Sequence, residues 1–307
     1  MALTLVEAAK LHSGDVVRSA VIELYARSSD VLQVLPFDDI VGNSLRYNRE
    51  DKLPGVGFRG INEGYTESTG ILNPQTENLV IAGGDLDVDK FIIDTMGADQ
   101  RSVQEAMKVK ALALRWTKAF IKGDSESDPR EFDGLQKRIT GTMLVSNNAS
   151  TGAALSLAKL DELIDAVNSP THLIMNKTMR RLLSAAARNT GVGGFITYTK
   201  DAFGQRVAQY GELPILIVDE DEGGNQILPF TEAAAGGGTQ STSIYCVSMG
   251  EGMLTGLQNG TLNARDIGEL EGKPALRTRV EWYNGVAVYH GKAAARLYGI
   301  TNAAVTV

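Results

Sequence analysis

Cysteine is nearly absent: Cys246 is the single one in 307 residues, which excludes a disulfide within the chain and any cysteine-rich metal site. Set in IYCVSM, it reads as a small buried strand residue. Histidine is almost as scarce. His12, His172 and His290 lie far apart, none in HExxH or another ligand spacing, so they read as structural or surface residues and no metal is expected. An excess of positive charge is missing too, because 37 acidic residues outnumber 30 basic ones for a net charge of −7. The two signs are mixed along the chain, which argues against sequence-reading contact with nucleic acid. No apolar run approaches the roughly 20 residues that span a bilayer. MALTLVEAAKLHSGD has neither the basic start nor the apolar stretch of a signal peptide, so a cytoplasmic setting is expected and a membrane partner is not.

Catalytic signatures are equally sparse. There is no GxSxG and no Walker A, and Gly236-Gly-Gly-Thr-Gln-Ser241 lacks a phosphate-reaching lysine. LPGVGFRG (53–60) does contain the GxGxxG spacing of a dinucleotide cradle. That motif must follow a hydrophobic strand and open a helix. Here a charged segment ending in Pro54 precedes it, and INEGYTESTG, without a helical period, follows it, so no cofactor is expected. Asp85, Asp87 and Asp89 alternate like calcium-loop ligands, but Lys90 and Met96 stand where the loop needs glycine and glutamate, which leaves a solvated turn. Asp219, Asp221 and Gly224 fit the first half of such a loop, with Phe230 replacing its glutamate; a charged turn after a buried strand is expected. Trp116 and Trp282 sit at apolar positions and read as core.

A hydrophobic content of 43% suffices for a real core, in one large domain or two ordinary ones. Residues 3–11 and 15–27 are helix-like but short, with Val16, Ala20 and Leu24 on one side, and suggest an arm that packs on something else; VLQVLPF (31–37) continues it as an extended segment. From Asp38 to about Gly84, eight glycines and two prolines mark a long hairpin or loop. Its apolar and aromatic residues, among them Phe58, Ile61, Tyr65 and Ile71, are too many for a solvated tail, and a two-stranded hairpin needs a surface to lie on. Residues 99–123 carry the longest helical pattern, with Val103, Met107, Ala111, Leu114 and Ile121 on one face and Gly123 as its stop. ALSLAKLDELIDAV (154–167) reads as a helix and THLIMN (171–176) as a strand. A further helix follows, capped by Asn176 and ended by Gly191. ELPILIVDED and SIYCVSMG read as buried strands, with TEAAAGGGTQST as a surface loop between them. ALRTRVEW alternates apolar with charged residues, and Asn284-Gly285 predicts a two-residue turn before VAVYH.

The order of these parts resembles the major capsid proteins of tailed bacteriophages, the Hong Kong 97 fold family, over nearly the whole chain. MALTLVEAAKL, LPFDDIVGNSLRYNREDKLPGVGFRGINEGYTESTG, GGDLDVDK, FIKGDSESDPREFDGL, LIMN with its helix, YGELPILIVDED and WYNGVAVYHGKAAARLYGI carry the resemblance as an ordered set. It implies an α+β capsid fold: an N-arm at 1–37, an E-loop at 38–90, a peripheral domain at 91–139 and 273–307 with the spine helix at about 99–122, and an axial domain at 140–272. It also implies a structural, non-enzymatic subunit of the virion, assembled in the host cytoplasm through hexamers and pentamers of itself into an icosahedral shell around double-stranded DNA. Arg46, Arg49, Asp51, Lys52, Arg59, Glu63 and Tyr65 of the E-loop, and Leu5, Val16 and Leu24 of the N-arm, are the expected intersubunit contacts. A separate scaffolding protein and a portal are the implied partners, with room for a decoration protein, and packaged DNA would meet the acidic wall only by non-specific proximity. No motif licenses the lysine–asparagine crosslink of one branch, although Lys52 lies in the right region. Two other readings stay open: an encapsulin-like compartment shell and a cytosolic enzyme using the glycine-rich loops.

Overall fold

The computed structural model describes residues 3–4, 29–96, 99–147, 151–189, 195–200 and 206–306. In chain order the first elements are β1 (Leu3–Thr4), α1 (Asp30–Val34), β2 (Pro36–Asp39), β3 (Ser44–Lys52), β4 (Ile71–Asn78), β5 (Val80–Asp89), α2 (Lys90–Met96) and α3 (Asp99–Lys122). They continue through α4 (Leu135–Arg138), β6 (Leu144–Ser146), α5 (Leu157–Asp165), β7 (His172–Met175), α6 (Lys177–Asn189), β8 (Ile196–Lys200), β9 (Arg206–Tyr210) and β10 (Leu213–Ile217). The last are β11 (Thr242–Val247), β12 (Leu254–Gln258), β13 (Asn263–Glu269), β14 (Ala275–Val288) and β15 (Ala294–Ile300).

Two sheets organise the chain. In the first, β14 pairs along one edge with β13 and then β12 and along the other with β5, while β2 and β1 extend the sheet beyond β12. The alternation of β14 puts Thr278, Val280 and Trp282 inward and leaves Arg277, Arg279 and Glu281 partly exposed. The second sheet runs β6-β15-β11-β7-β10-β9-β8. Alternate residues of its central strands serve two cores. Ile174, Tyr245 and Val247 face the core that holds α1, α3 and the first sheet, whereas Leu173, Met175, Ile244 and Cys246 face the one that also holds Leu160 and Leu163 of α5 and Met179 and Leu183 of α6.

The spine helix α3 spans Asp99–Lys122, about 36 Å at 1.5 Å per residue. Of the expected face only Ile121 is buried. Val109, Ala113, Trp116, Phe120 and Ile121 are buried, whereas Val103 and Met107 are 51% and 60% exposed. The apolar residues of the N-terminal half follow a different stripe from those that meet the sheet, and the aromatic pair Trp116 and Phe120 decides which stripe packs. Trp116 stacks on Phe120 (5.2 Å) and lies 6.0 Å from Trp282.

Three further expectations are corrected. Asn284-Gly285 is no turn: β14 runs straight through it, neither residue adopts a positive φ, and Asn284 pairs with Gln258 on one side and Val80 on the other. A type I′ turn needs positive φ at both central residues; instead Asn284 is buried and its Oδ1 accepts the Trp116 indole N–H (3.2 Å). Residues 31–37 are not one extended segment: 30–34 is helical, Val31, Leu32, Leu35 and Phe37 are at most 2% exposed, and β2 lies parallel to β12. Leu3–Thr4, placed in a helix by the sequence, pairs as a strand with Pro36 and Phe37. β12 and β13 join the first sheet, and β15 joins the second. The proposed arm contacts Leu5, Val16 and Leu24, and the helix stop at Gly191, lie outside the described residues.

Other elements form as their patterns predict. The Met179 amide donates to Asn176 Oδ1 (2.8 Å), which makes Asn176 the cap of α6. Asp221 Oδ1 accepts from the amides of Gly223 (2.9 Å) and Asn225 (2.8 Å), closing the charged turn after β10, and the Lys118 ammonium beside it holds the Asp221 carboxyl down to about 2.

Candidate functional site

The glycine-rich segment forms a hairpin that belongs to neither large sheet. β3 and β4 pair antiparallel from Ser44↔Asn78 to Lys52↔Ile71, with a bulge between Glu50 and Lys52, and residues 53–70 form the loop beyond. No helix follows Gly60, so the phosphate geometry of a dinucleotide cradle is not built. The loop organises itself around Glu63 instead. Its carboxylate accepts the Gly60 amide (2.8 Å), its carbonyl accepts Arg59 Nη1 (3.2 Å), and Asn62 takes the left-handed φ of 67° that reverses the chain. Arg59 then lies 5.2 Å from the Tyr65 ring, and Ser68 Oγ donates to the Gly55 carbonyl (2.8 Å).

Almost nothing of this chain covers the loop. Val56, Phe58 and Ile61 are essentially fully exposed, Leu53 and Tyr65 are about 70% exposed, and Ile71 and Leu72 continue the apolar surface onto β4. Gly55 to Phe58 and Gly64 to Ser68 enclose a concavity of about 270 Å³. Exposed apolar patches of this kind mark interaction sites.

The hairpin's root, in contrast, is clamped. Tyr47 donates its hydroxyl to the Val288 carbonyl (3.0 Å) and packs its ring 4.8 Å from that of Tyr289. Burial, with the Glu77 charge beside it, pushes the Tyr47 hydroxyl up to about 12. Arg138 grips Glu77 with both terminal nitrogens, Nη2 at 2.7 Å from Oε2, and both side chains are about 15% exposed. Arg138 Nε also donates to the Asp133 carbonyl (2.6 Å). The Leu79 amide to the Asn43 carbonyl (2.9 Å) and Asn259 Nδ2 to the Gly42 carbonyl (3.0 Å) complete the anchorage. The hairpin is therefore held against the body from its base as far as Arg49 and free in the loop beyond.

The expected contact residues divide accordingly. Arg46 pairs with Thr76 in the β3–β4 ladder, and its exposed side chain has no hydrogen-bond or ion-pair partner among the described residues. Arg49, half-buried, faces the body beside Arg138, Thr140 and Met143. Asp51 and Lys52 close β3. Arg59, Glu63 and Tyr65 are brought together at the loop, bonded to one another.

Several working residues escaped sequence reading. Asp85 and Asp87 do not sit in a solvated turn; they lie in β5, opposite Arg279 and Arg277 of β14. Arg279 forks onto Asp85 (2.7 and 2.9 Å) and Arg277 onto Asp87 (2.6 and 2.9 Å), and Lys273 adds to Asp87. These cations hold both carboxyls well below the usual range. Matching period-two patterns, Asp-Leu-Asp in 85–87 and Arg-Thr-Arg in 277–279, were the available signal. TEAAAGGGTQST hides Glu232, which is buried beside Arg296 (3.0 Å) and Ser243. No cluster of metal-ligating side chains occurs among the described residues.

No protein-family model matches the sequence, and no curated protein is similar to it. Solved structures do match the fold. An encapsulin complex from Synechococcus elongatus PCC 7942 superposes at a TM-score of 0.67 with 18% identity, over 90% of this chain and 89% of that one. The capsid of a native GTA particle gives 0.63 with 16% identity (89% and 91%), and a structure from Mycobacterium phage Bobi gives 0.62 with 10% identity (88% and 89%). The chain has the Hong Kong 97-type capsid fold.

Proposed function

We propose that this chain is the repeating subunit of a closed protein shell, the head of a tailed bacteriophage, assembled through hexamers and pentamers around double-stranded DNA. One observation carries the proposal: a hairpin rigidly anchored at Tyr47, Glu77 and Arg138 leaves Val56, Phe58 and Ile61 uncovered by its own subunit. A second copy supplies the missing cover, and Arg46 is free to pair across that contact. Each exposed ion pair adds roughly 0–1 kcal/mol, and repetition around closed rings makes the sum decisive. The first sheet with α3 corresponds to the peripheral part and the second sheet with α5 and α6 to the axial part. The role is structural rather than catalytic, within a virion assembled in the host cytoplasm with a scaffolding protein and a portal.

The encapsulin likeness, at a TM-score of 0.67, favours one second reading, a compartment shell that encloses protein cargo. Light scattering and negative-stain microscopy on the expressed chain, alone and with a scaffolding protein, test the proposal. Rings or closed shells that Arg46→Glu with Arg59→Glu abolishes support it. Particles containing an enzyme and no nucleic acid support the compartment instead, and a monomer under every condition refutes both.

A further inference from the structure

Helices α5 and α6 lie on the same face of the second sheet but toward opposite flanks. Both contribute to the core on that face; α5 packs on β15 and β11, and α6 on β10 and β8, in a sheet ordered β6-β15-β11-β7-β10-β9-β8. Their outer stripes carry opposite charge. On α6, Lys177, Arg181 and Arg188 are exposed at i, i+4 and i+11, within about 40° of one line on a helix of 3.6 residues per turn, and the helix has no acidic residue. On α5, Asp161, Glu162 and Asp165 are exposed; Glu162 pairs with Lys159 of the same helix (2.6 Å), Asp161 accepts the Tyr210 hydroxyl of β9 (2.7 Å), and Asp165 has no ion-pair partner among the described residues. Among the described residues no ion pair joins the two helices, and Arg181 and Arg188 have no carboxylate partner. Lys177 pairs with Asp219, so a chain of net charge −7 sets two cations without a carboxylate partner, Arg181 and Arg188, on the helix of one flank and the carboxylates Glu162 and Asp165 on the helix of the other.

Resting on the shell reading above, we infer that the α6 stripe of one copy docks on the α5 stripe of the next, the two faces of a head-to-tail contact that closes a ring. A heterologous contact needs two different, complementary patches on one subunit, and rotation about a ring axis brings one flank of a layer against the opposite flank of its neighbour. Charge complementarity sets partner and register at such a contact. A polyanion could be drawn to α6 alone, but it would give the acidic stripe of α5 no role.

Two charge reversals test this. Arg181→Glu with Arg188→Glu makes both stripes acidic, and Glu162→Lys with Asp165→Lys makes both basic. Each variant should unfold thermally like the wild-type subunit and lose at least about tenfold in assembled fraction at low salt. Mixed one to one, they should regain rings with an even number of subunits, because the two kinds can alternate, whereas a five-fold ring cannot close. Combining all four changes in one chain should restore every ring. Assembly by the α6 reversal at wild-type levels, or no recovery on mixing, would overturn the inference. So would intact shells that merely lose co-purifying nucleic acid, which would assign α6 to a polyanion. A wild-type chain that forms no ring at all would refute the shell reading itself, and this contact with it.

Discussion

Removing one partner from the Glu77–Arg138 pair should cost far more than removing both. The two side chains are about 15% exposed, joined by a two-point grip, and met by the Tyr47 hydroxyl, which donates to Glu77 Oε1 (3.4 Å). Truncating one member of a buried pair leaves the other charge uncompensated, at roughly 3–5 kcal/mol, whereas an apolar replacement of both is often neutral. The residual wetting here puts Glu77→Leu or Arg138→Met near the lower end, about 3 kcal/mol each. At roughly 2.1 cal/mol/K of unfolding entropy per residue, 307 residues convert this to a fall in Tm of about 5 °C. The double variant should lie within about 1 kcal/mol of wild type, for a coupling of several kcal/mol. Urea unfolding of the unassembled subunit measures the cycle, and amide exchange along β3 reports whether the hairpin root has loosened. A double variant as unstable as the sum of the singles would refute the clamp.

Burial pushes the His172 imidazole down to about 4 from its ordinary 6.5, so the folded state holds it neutral where the unfolded chain protonates it. That contribution is fully present above pH 6.5, is lost as pH falls toward 4, and is worth on the order of 3 kcal/mol; His172→Gln should flatten the urea midpoint across that window. Asp221, depressed to about 2 by Lys118, acts lower, its contribution present above about pH 4 and lost as pH falls toward 2. Gly256→Ala should destabilise the subunit by about 1–3 kcal/mol, because the added methyl collides with the Phe37 ring that Trp116 and Trp282 hold in place. Phe37→Leu in the same chain should recover part of the loss in a thermal melt. Burial pushes the Cys246 thiol up to about 12, so a thiol reagent should label it only after denaturant is added, with the labelling rate following unfolding.

The spine helix was legible to the residue, because 24 residues without glycine or proline favour one periodic element. Its packing face was not, since the side chains that choose it, Trp116 and Phe120, answer to Phe132 beyond the helix and to Trp282 far along the chain. Local chemistry misled at Asn284-Gly285, where a pair suited to a turn is held extended by strands on both edges and by the Trp116 indole. The hairpin was legible as glycine, proline and unhoused aromatics in one stretch. Its anchor was not: Glu77 and Arg138 are 61 residues apart, and Tyr47 meets Val288 across 241.

Cryo-electron microscopy of the expressed chain tests the central claim most directly. The account predicts closed particles in which residues 53–70 of each copy lie on a neighbouring subunit, with Val56, Phe58 and Ile61 removed from solvent. A discrete species near 32.9 kDa at every concentration, with that hairpin bare and no recovery on adding a scaffolding protein, would contradict it.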